Sequence, residues 1–251
     1  MITIIVLFTP HLPEKKPPPE KPPEAVKKKL YRIAIIIDDV GYPSSNFQAY
    51  MKFSEKLTFS VLPFLDNSSL YARKLHESGF EIMLHIPMEP LSYPSSNPGL
   101  YALFTGDSRM QVRTKLDLMI EQNPYAVGAN NHMGSKATLD RELMYHTLSY
   151  LKKKNYYFID SVTTRHSCAY QTALDLGLTA SSRDVFLDNR DEFSYINSQF
   201  TRLKTLARNN GTAIGIGHFN RINTIKVLKY QLPLLKKQNF VLVFASEAVP
   251  N

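Results

Sequence analysis

Two adjacent carboxylates, Asp38 and Asp39, close an apolar run and are the clearest candidates for chemistry in the chain. The run at 33–37 holds five consecutive apolar residues, which is typical of a strand buried on both faces in a parallel sheet. Neighbouring carboxylates repel each other and resist burial unless a cation or a shared proton offsets the cost. Gly41 lets the chain turn close to whatever they hold. The alternative is that the pair caps a helix, and this stretch alone leaves both interpretations open.

Five further apolar runs are also followed by polar residues that can act as acids, bases or ligands. In parallel α/β folds the carboxyl ends of the strands meet at one edge, so we expect these residues to converge. Carboxylates and imidazoles without cysteine suit a divalent metal of the zinc type that keeps an open position for water. The sequence has no nucleophilic-serine elbow and no glycine-rich phosphate loop. The residues are His85 with Glu89; Asn130, Asn131 and His132; Asp160 with Ser161; Asp188 with Asn189; and His218.

Several of these residues also have a purely structural interpretation. His218 could be a buried histidine bonded to backbone. Asp160 and Asp188 could cap the helices that follow them, or orient a ligand histidine from behind. His146 lies on the apolar face of a predicted helix and is expected to have no role in the site, whereas the role of His166 stays open.

The elements that must position these residues alternate along the chain from Tyr31 onward. Roughly eight apolar strands alternate with amphipathic helices, which predicts a parallel α/β fold, either barrel-like or open. The segment 91–107 is rich in Pro, Ser and Gly and is expected to be a loop. The predicted strands are 33–37, 57–62, 80–84, 125–129, 156–159, 185–187, 212–217 and 240–244, and the predicted helices are 68–78, 109–122, 139–153, one ending before Gly177, 192–208 and 223–236.

The composition suits one globular domain with a tail. The chain has 251 residues, of which 43% are hydrophobic and 21% charged, enough to bury a sizeable core. The net charge is +8, but part of it belongs to the tail, and no Lys/Arg stripe is interleaved with aromatics. We therefore expect no nucleic-acid partner. The single cysteine, Cys168, excludes an intrachain disulfide and a cysteine-based metal site.

Residues 1–30 differ in kind from the rest of the chain. They hold seven of the 16 prolines, together with six lysines and three glutamates, which predicts a disordered, extended stalk outside the folded domain at 31–251. The apolar run at 2–8 is too short to span a bilayer and lacks the basic start of a signal peptide. It is either an ordinary disordered terminus or the remnant of a truncated membrane anchor whose true start lies upstream.

Six segments of the folded domain carry the strongest signal: IIIDDVGY at 35–42, GFEIMLHIPMEP at 79–90, VGANNHMGSKAT at 127–138, FIDSVTT at 158–164, RDVFLDN at 183–189 and GTAIGIGHFNRINT at 211–224. Together and in this order they resemble the divergent polysaccharide deacetylase family, a branch of the carbohydrate deacetylase superfamily. The resemblance covers essentially all of residues 32–245. It implies a deacetylase-like catalytic domain at 31–251, folded as a distorted or incomplete (β/α) barrel of about seven to eight mostly parallel strands.

The resemblance also implies roles for two of the motifs. In the superfamily an Asp-Asp-Gly turn supplies a general base from its first Asp and a metal ligand from its second. Asp38 and Asp39 match these positions, although Val40 separates them from Gly41. The last motif of the superfamily is an apolar strand that ends in a catalytic-acid histidine. His218 matches that position.

The second motif of the superfamily supplies two histidine ligands four residues apart, and here the chain departs from the pattern. His85 matches the first histidine, but Glu89 stands at the second position. In an extended chain such positions are about 13 Å apart, and Pro90 disfavours the α conformation that would turn Glu89 back. His132 follows a neighbouring strand and offers a neutral imidazole, which suits zinc better than a second carboxylate. We therefore predict Asp39, His85 and His132 as the metal ligands, with Glu89 behind them or facing the substrate.

The activity that the resemblance implies is the removal of acetyl groups from an acetylated polysaccharide of the cell envelope by a metal-dependent hydrolase. A divalent metal, expected to be zinc, would activate water for attack on the acetyl carbonyl, with the base taking a proton and the acid protonating the leaving group. Asn130 or Asn131 would donate to the oxyanion. Asp160 and Asp188 would support the ligands or the substrate.

Proteins of this family often carry an N-terminal anchor and a Pro-rich stalk. The resemblance therefore implies a periplasmic or cell-envelope location with an N-terminal membrane tether. Two alternatives stay open. The chain could be a catalytically weak or inactive carbohydrate-binding or envelope protein that keeps the fold, an alternative favoured by the departure at Glu89. It could also hydrolyse amides that are not sugars. Release of acetate from acetylated glycans distinguishes the leading hypothesis from both.

Overall fold

A computed structural model describes residues 1–5 and 29–250 of the chain. Residues 1–5 are exposed and have no regular secondary structure, and the first strand begins at Tyr31. The predicted stalk lies largely in 6–28, outside the described residues, so it stays a prediction. Among the described residues, no helix is both long enough and apolar enough to cross a bilayer.

Strands and helices alternate through the described part of the chain, as the sequence predicts. The strands are β1 (Tyr31–Val40), β2 (Thr58–Val61), β3 (Glu81–Met88), β4 (Ala126–Met133), β5 (Tyr157–Asp160), β6 (Ala180–Ser182), β7 (Val185–Phe186), β8 (Thr212–His218) and β9 (Phe240–Val243). The helices are α1 (Asn46–Tyr50), α2 (Ser68–Glu77), α3 (Arg109–Gln122), α4 (Arg141–Lys153), α5 (Ala169–Asp175), α6 (Phe193–Asn210), α7 (Ile222–Leu235) and α8 (Ala245–Ala248), with short 3-10 turns at Ala137–Leu139 and Lys236–Gln238.

All strands pair in parallel in one curled sheet. Eight of them follow the order β6-β5-β4-β3-β2-β1-β8-β7, and β9 pairs with the first half of β1. This confirms the predicted parallel α/β barrel, with a ninth strand in addition to the seven or eight expected. Within the described residues no ladder joins β6 to β7, so the barrel is incomplete at that seam.

The central strand β1 separates two apolar layers. Ile33, Ile35 and Ile37 face the larger cluster, which includes side chains from the surrounding helices, whereas Ala34 and Ile36 face a smaller cluster built from the strands and the C-terminal segment. All five side chains are fully buried. Burying such side chains on both faces stabilises the fold by about 1.5–3 kcal/mol for each large one. The run at 33–37 therefore anchors the strand β1, which ends in the two carboxylates of the site.

Three details of the predicted elements are wrong. The fourth helix begins at Arg141 and not at 139, because the Asp140 carboxylate caps it by accepting from the backbone of Glu142 and Leu143. Leu139, the first residue of the predicted helix, lies in the preceding 3-10 turn and is 42% exposed. The short strand β6 and the helices α1 and α8 have no counterpart among the predicted elements.

Candidate metal centre

The carboxylate pair lies where β1 departs from regular strand geometry. The register with β2 shifts between Ile37 and Val40, and Asp39 has a φ of 63°. Side chains of a regular strand alternate between its two faces. A bulge with a residue in the left-handed region breaks that alternation, and Asp is one of the few residues that tolerate this conformation. Both Asp38 and Asp39 therefore reach the same cavity.

Two histidines from neighbouring strands converge on Asp39. Its Oδ1 atom lies 3.3 Å from His85 Nε2 and 2.9 Å from His132 Nδ1. His85 comes from β3 and His132 from β4, two strands that pair directly. Within the described residues this is the one group of three or more His, Cys, Asp or Glu side chains whose ligand atoms lie within 4.8 Å of one another.

The geometry of this group fits a metal ion. Asp39 Oδ1 is buried, yet no hydrogen bond reaches it with acceptable geometry in the described part of the chain. Two ligand atoms that are each 2.0–2.1 Å from a tetrahedral zinc are about 3.3 Å apart, close to the spacings seen here. One carboxylate and two imidazoles also form a usual donor set for a catalytic zinc with an open position. Burial alone would raise the pKa of Asp39, but the two imidazoles outweigh it and lower the pKa far below its usual value.

Asp38 is held beside this group by a single amide. Its side chain is buried, and its Oδ1 atom accepts a hydrogen bond of 2.8 Å from Asn130 Nδ2. Burial raises the pKa of Asp38, and the positive charges of His85 and His218 and the bond from Asn130 only partly offset that rise. The Oδ2 atom of Asp38 lies 3.7 Å from His85 Nε2.

His218 forms a dyad with Asp188 on the other side of the cavity. Its Nδ1 atom lies 2.7 Å from Asp188 Oδ1, and Asp188 Oδ2 accepts from the His218 backbone N–H and from the Thr224 hydroxyl, both at 2.6 Å. Burial would lower the pKa of His218, but the bond and charge of Asp188 raise it from 6.5 to about 9. At neutral pH the imidazole is therefore protonated.

The backbone sets His218 beside Asp38. Asp38 and His218 are register partners on the adjacent strands β1 and β8, and the backbone of Phe219 donates to the Asp38 carbonyl. The two carboxylates, the three histidines and Asn131 line one cavity of about 210 Å³. A larger cavity, of about 370 Å³, lies between α3 and α4 and has no such cluster within the described residues.

Two predicted site residues make their contacts with the protein itself. Glu89 accepts from the backbone of Thr105 and pairs with Lys136 at 2.8 Å, so it fastens two loops and lies outside the cavity lining. Asp160 accepts from the backbone of Val162 and the hydroxyl of Ser167, and it also lies outside the lining.

Asn131 does line the cavity. Its amide donates to the Met133 carbonyl and accepts from the Ser161 backbone, and Asn130 donates to Asp38 as described above. Both amides that we predicted to bind an oxyanion therefore already donate to protein groups. Their role toward an oxyanion stays a prediction.

Several residues of the cavity wall were not found from the sequence. Met133, Thr163 and Phe186 line it, and the Phe186 ring stacks on the His218 ring with centroids 5.7 Å apart. Phe186 resembles any apolar strand residue in the sequence. Only its place two residues before Asp188 could have indicated a position beside the acid.

Fold and site together define a carbohydrate-deacetylase-like barrel with a candidate Asp-His-His metal centre. A family model described as divergent polysaccharide deacetylase matches residues 35–249. The chain belongs to this family, and the family and fold support a polysaccharide deacetylase-type function.

Two relatives are similar in sequence. An uncharacterized protein of Escherichia coli (strain K12), YibQ, is 36% identical over 206 residues, which are 80% of this chain and 63% of the relative. An uncharacterized protein of Haemophilus influenzae is 34% identical over 198 residues, which are 79% of this chain and 70% of that relative. The chain thus spans less than two thirds of the length of the first relative.

Three solved structures share the fold. The uncharacterized protein ATU2773 from Agrobacterium tumefaciens C58 has a TM-score of 0.83 at 21% identity, covering 87% of this chain and 89% of that one. The catalytic domain of peptidoglycan N-acetylglucosamine deacetylase from Eubacterium rectale has a TM-score of 0.58 at 10% identity, covering 90% and 93%. BA3943 from Bacillus anthracis, described as a CE4 family pseudoenzyme, has a TM-score of 0.54 at 13% identity, covering 87% and 65%.

Proposed function

We propose that the chain is a metal-dependent hydrolase that removes acetyl groups from an acetylated polysaccharide of the cell envelope. The observation that carries this proposal is the meeting of a candidate metal centre, a buried carboxylate and a protonated histidine in one cavity. Asp39, His85 and His132 would hold the metal, which we propose to be zinc. When bound, zinc lowers the pKa of a coordinated water and polarises the carbonyl of an acyl group.

Asp38 acts as the general base. Its Oδ1 atom is occupied by Asn130, so the proton of the attacking water goes to Oδ2. Burial raises the pKa of this carboxyl from its usual value, which makes it a better proton acceptor than an exposed aspartate. The amide keeps the carboxylate from turning away while the proton is transferred.

His218 acts as the general acid. Its Nδ1 atom is engaged by Asp188, which leaves Nε2 to protonate the leaving group. A pKa of about 9 keeps the imidazole charged at neutral pH, and proton delivery by a positioned acid contributes about 10²- to 10⁴-fold to a rate. The acid therefore carries the proton that the leaving group of an amide or ester needs.

The cavity wall supports an acetylated sugar as the substrate. Met133 and Phe186 give the cavity apolar surface beside its charged groups. An acetyl methyl group and the face of a sugar ring suit such a surface. A volume of about 210 Å³ has room for a small group such as one acetylated sugar unit. The likeness of the fold to a peptidoglycan N-acetylglucosamine deacetylase domain supports a glycan of the envelope.

We also propose a periplasmic or envelope location with an N-terminal tether. The support is the composition of residues 1–30 alone, in which prolines and lysines replace the apolar pattern of a core. Membrane fractionation of cells that produce the chain with and without residues 1–28 tests this proposal. Equal partition of both forms into the soluble fraction would contradict the tether.

The alternative function is a carbohydrate-binding protein without catalysis. This alternative is supported by the fold that the chain shares with BA3943, a protein described as a pseudoenzyme. A shared barrel is therefore not enough to establish catalytic activity. In this chain the cluster of Asp39, His85 and His132 argues for catalysis, since a binding protein has no need of a base and an acid beside a metal centre.

Acetate release tests the proposal. The full chain, loaded with zinc, is incubated with N-acetylglucosamine oligomers, peptidoglycan fragments and an O-acetylated polysaccharide, and free acetate is measured. We expect wild-type protein to release acetate and Asp38→Asn to release about 10²- to 10⁴-fold less with its zinc retained. His166→Ala, at an exposed position outside the cavity, is the matched control and keeps the wild-type rate. Glycan binding without acetate release by the wild type would favour the alternative.

A further inference from the structure

One buried amide joins the general base to a metal ligand. Asn130 Nδ2 donates to Asp38 Oδ1 at 2.8 Å, and Asn130 Oδ1 lies 2.6 Å from His85 Nδ1. The same Oδ1 atom accepts a hydrogen bond of 2.5 Å from the hydroxyl of Ser60 on β2. All four residues are buried, with 2% or less of each exposed. We call these four residues the Ser60–Asn130 relay.

The relay fixes the orientation of the Asn130 amide. An ionised carboxylate only accepts hydrogen bonds, so the group that faces Asp38 must be the NH₂ of the amide. The amide oxygen then has to face both His85 and Ser60. A flipped amide would set its oxygen against the Asp38 carboxylate at hydrogen-bond distance, in a place that water does not reach.

The orientation of the amide in turn fixes the tautomer of His85. An amide oxygen cannot donate, so His85 Nδ1 must carry the hydrogen that binds it. In the neutral ring the lone pair is then on Nε2, the atom 3.3 Å from Asp39 Oδ1. A metal binds only the unprotonated nitrogen of an imidazole, and the bond made by the other nitrogen selects which one that is.

Ser60 supplies the second donor to the same oxygen. Its hydroxyl reaches from β2 to Asn130 on β4, and Ser60 has no exposed surface, so its position is set by the sheet. With two donors on one side and a carboxylate on the other, the amide has one orientation that satisfies every partner. Ser60 therefore limits the rotation of Asn130 and, through it, that of the His85 ring.

We propose that Ser60 and Asn130 are positioning residues that hold His85 as its Nδ1–H tautomer and so set the affinity of the centre for a divalent metal. This inference rests on the metal centre of the proposed function and is independent of its substrate. Partners that orient a ligand histidine are typically worth 10- to 100-fold in metal affinity. The neutral hydrogen bond from Ser60, one residue further from the metal than Asn130, is worth about 3- to 10-fold in metal affinity.

Zinc binding to the metal-free full chain tests the relay without any substrate. The dissociation constant for zinc is measured by competition with a chromophoric chelator. We expect Asn130→Leu to weaken zinc binding by about 10- to 100-fold and Ser60→Ala by about 3- to 10-fold. Ser60→Thr keeps the hydroxyl and should restore most of the loss. Thr147→Val removes a fully buried hydroxyl inside α4, far from the relay in sequence, and should bind zinc as the wild type does.

Asn130→Asp separates the two functions of the amide. A carboxylate at this position still accepts from His85 and Ser60, but it cannot donate to Asp38 and repels it. We expect zinc affinity within about threefold of the wild type together with loss of most acetate release. Long-range ¹H–¹⁵N spectra of the imidazoles should show the Nδ1–H form of His85 in the wild type and in Asn130→Asp, but a mixture of tautomers in Asn130→Leu.

The outcomes separate this inference from the proposed function. Wild-type zinc affinity in a folded Asn130→Leu variant would overturn the relay, and so would an Nε2–H tautomer of His85 in the metal-free wild type. If the wild type binds zinc and the variants behave as expected but no acetate is released from any glycan, the relay stands and the proposed activity fails. Thermal unfolding of each metal-free variant shows whether it is folded.

Discussion

The two halves of the site are organised by different means. In the half built on His218, called the acid half after its proposed role, both side-chain oxygens of Asp188 have protein partners, and those bonds hold His218 charged. In the half built on Asp39, His85 and His132, called the metal half, Asp39 Oδ1 is buried without a hydrogen bond among the described residues. Two imidazole nitrogens nevertheless lie within 3.3 Å of it. The acid half is complete as a protein structure, whereas the metal half has the geometry of a ligand set. The comparison predicts that substitutions can remove zinc binding and proton donation independently of each other.

Loss of a metal ligand should have the largest effect. His132→Ala removes one of three ligands from the metal half, so we expect zinc stoichiometry to fall well below one and acetate release to fall to background. Dialysis of the wild type against a chelator should do the same, and added zinc should restore activity. Glu89→Ala is the matched control, because Glu89 contacts Thr105 and Lys136 outside the cavity and should leave the zinc content unchanged. Retention of zinc in His132→Ala with its loss in Glu89→Ala would refute the ligand set.

Loss of the acid should affect only the other half. His218→Ala is expected to bind one zinc with wild-type affinity and to release acetate about 10²- to 10⁴-fold more slowly. Zinc content and acetate release are measured on the same preparation. A variant that also loses its zinc would make His218 a ligand and end the separation of the two halves.

Removal of the charge behind the acid should change the pH dependence. In wild type the pKa of His218 is raised from 6.5 to about 9, so activity should fall as the pH rises through about 9. In Asp188→Asn the pKa of His218 loses the largest offset to burial, and the fall should occur at least one unit lower, with about 3- to 100-fold less activity at pH 8.5 and little change near pH 6. An imidazole NMR titration of the metal-free protein gives the pKa directly.

The same shift makes a prediction for stability. Because the folded state raises the pKa of His218, its contribution to the free energy of unfolding is fully present below pH 6.5 and is lost as the pH rises to about 9. Denaturant unfolding should show this decline in the wild type and not in Asp188→Asn. If the free energy of unfolding falls equally in both proteins as the pH rises to about 9, His218 is not the group responsible.

The smallest effect is expected from one methyl group behind the dyad. A Cβ at Gly217 would lie 3.0 Å from Thr224 Cγ2 and 3.2 Å from Asp188 Oδ2. Gly217→Ala should therefore cost about 1–3 kcal/mol in the free energy of unfolding and reduce acetate release by about 2- to 10-fold with zinc affinity unchanged. Gly215→Ala on the same strand meets the flexible side chain of Leu203 and should lose stability without losing activity per folded molecule. Equal effects on activity would show that the acid half tolerates displacement.

The sequence predicted most of the barrel because its strands are buried on both faces and interrupted by amphipathic helices. The five apolar residues before Asp38 indicated β1 directly. The strand β6 was missed because Ala180–Ser182 is three residues long and has no apolar run. The ends of β3 and β4 were also missed. Both strands continue past His85 and Asn130, to Met88 and Met133.

The site was predictable only in part, because residue types indicate chemistry but not the direction in which a side chain points. His132 reaches Asp39, whereas Glu89 lies at the far end of the extended strand β3, as the spacing argument suggested. Ser60 could not be found, since one serine inside Thr58–Val61 has no signal of its own. Its importance depends on a hydrogen bond to a residue 70 positions away.

The central position of β1 has a consequence for how the chain reaches its native state. β1 pairs with β2 after fewer than 30 residues, but its other neighbours, β8 and β9, begin only at Thr212 and Phe240. Contacts between residues so far apart in sequence slow folding, because closing a long loop costs entropy before those contacts can form and stabilise the chain. A chain emerging from the ribosome can therefore not complete its central strand until β8 and β9 are made. During synthesis one side of the run at 33–37 stays open, and this exposes the nascent chain to aggregation and to capture by chaperones.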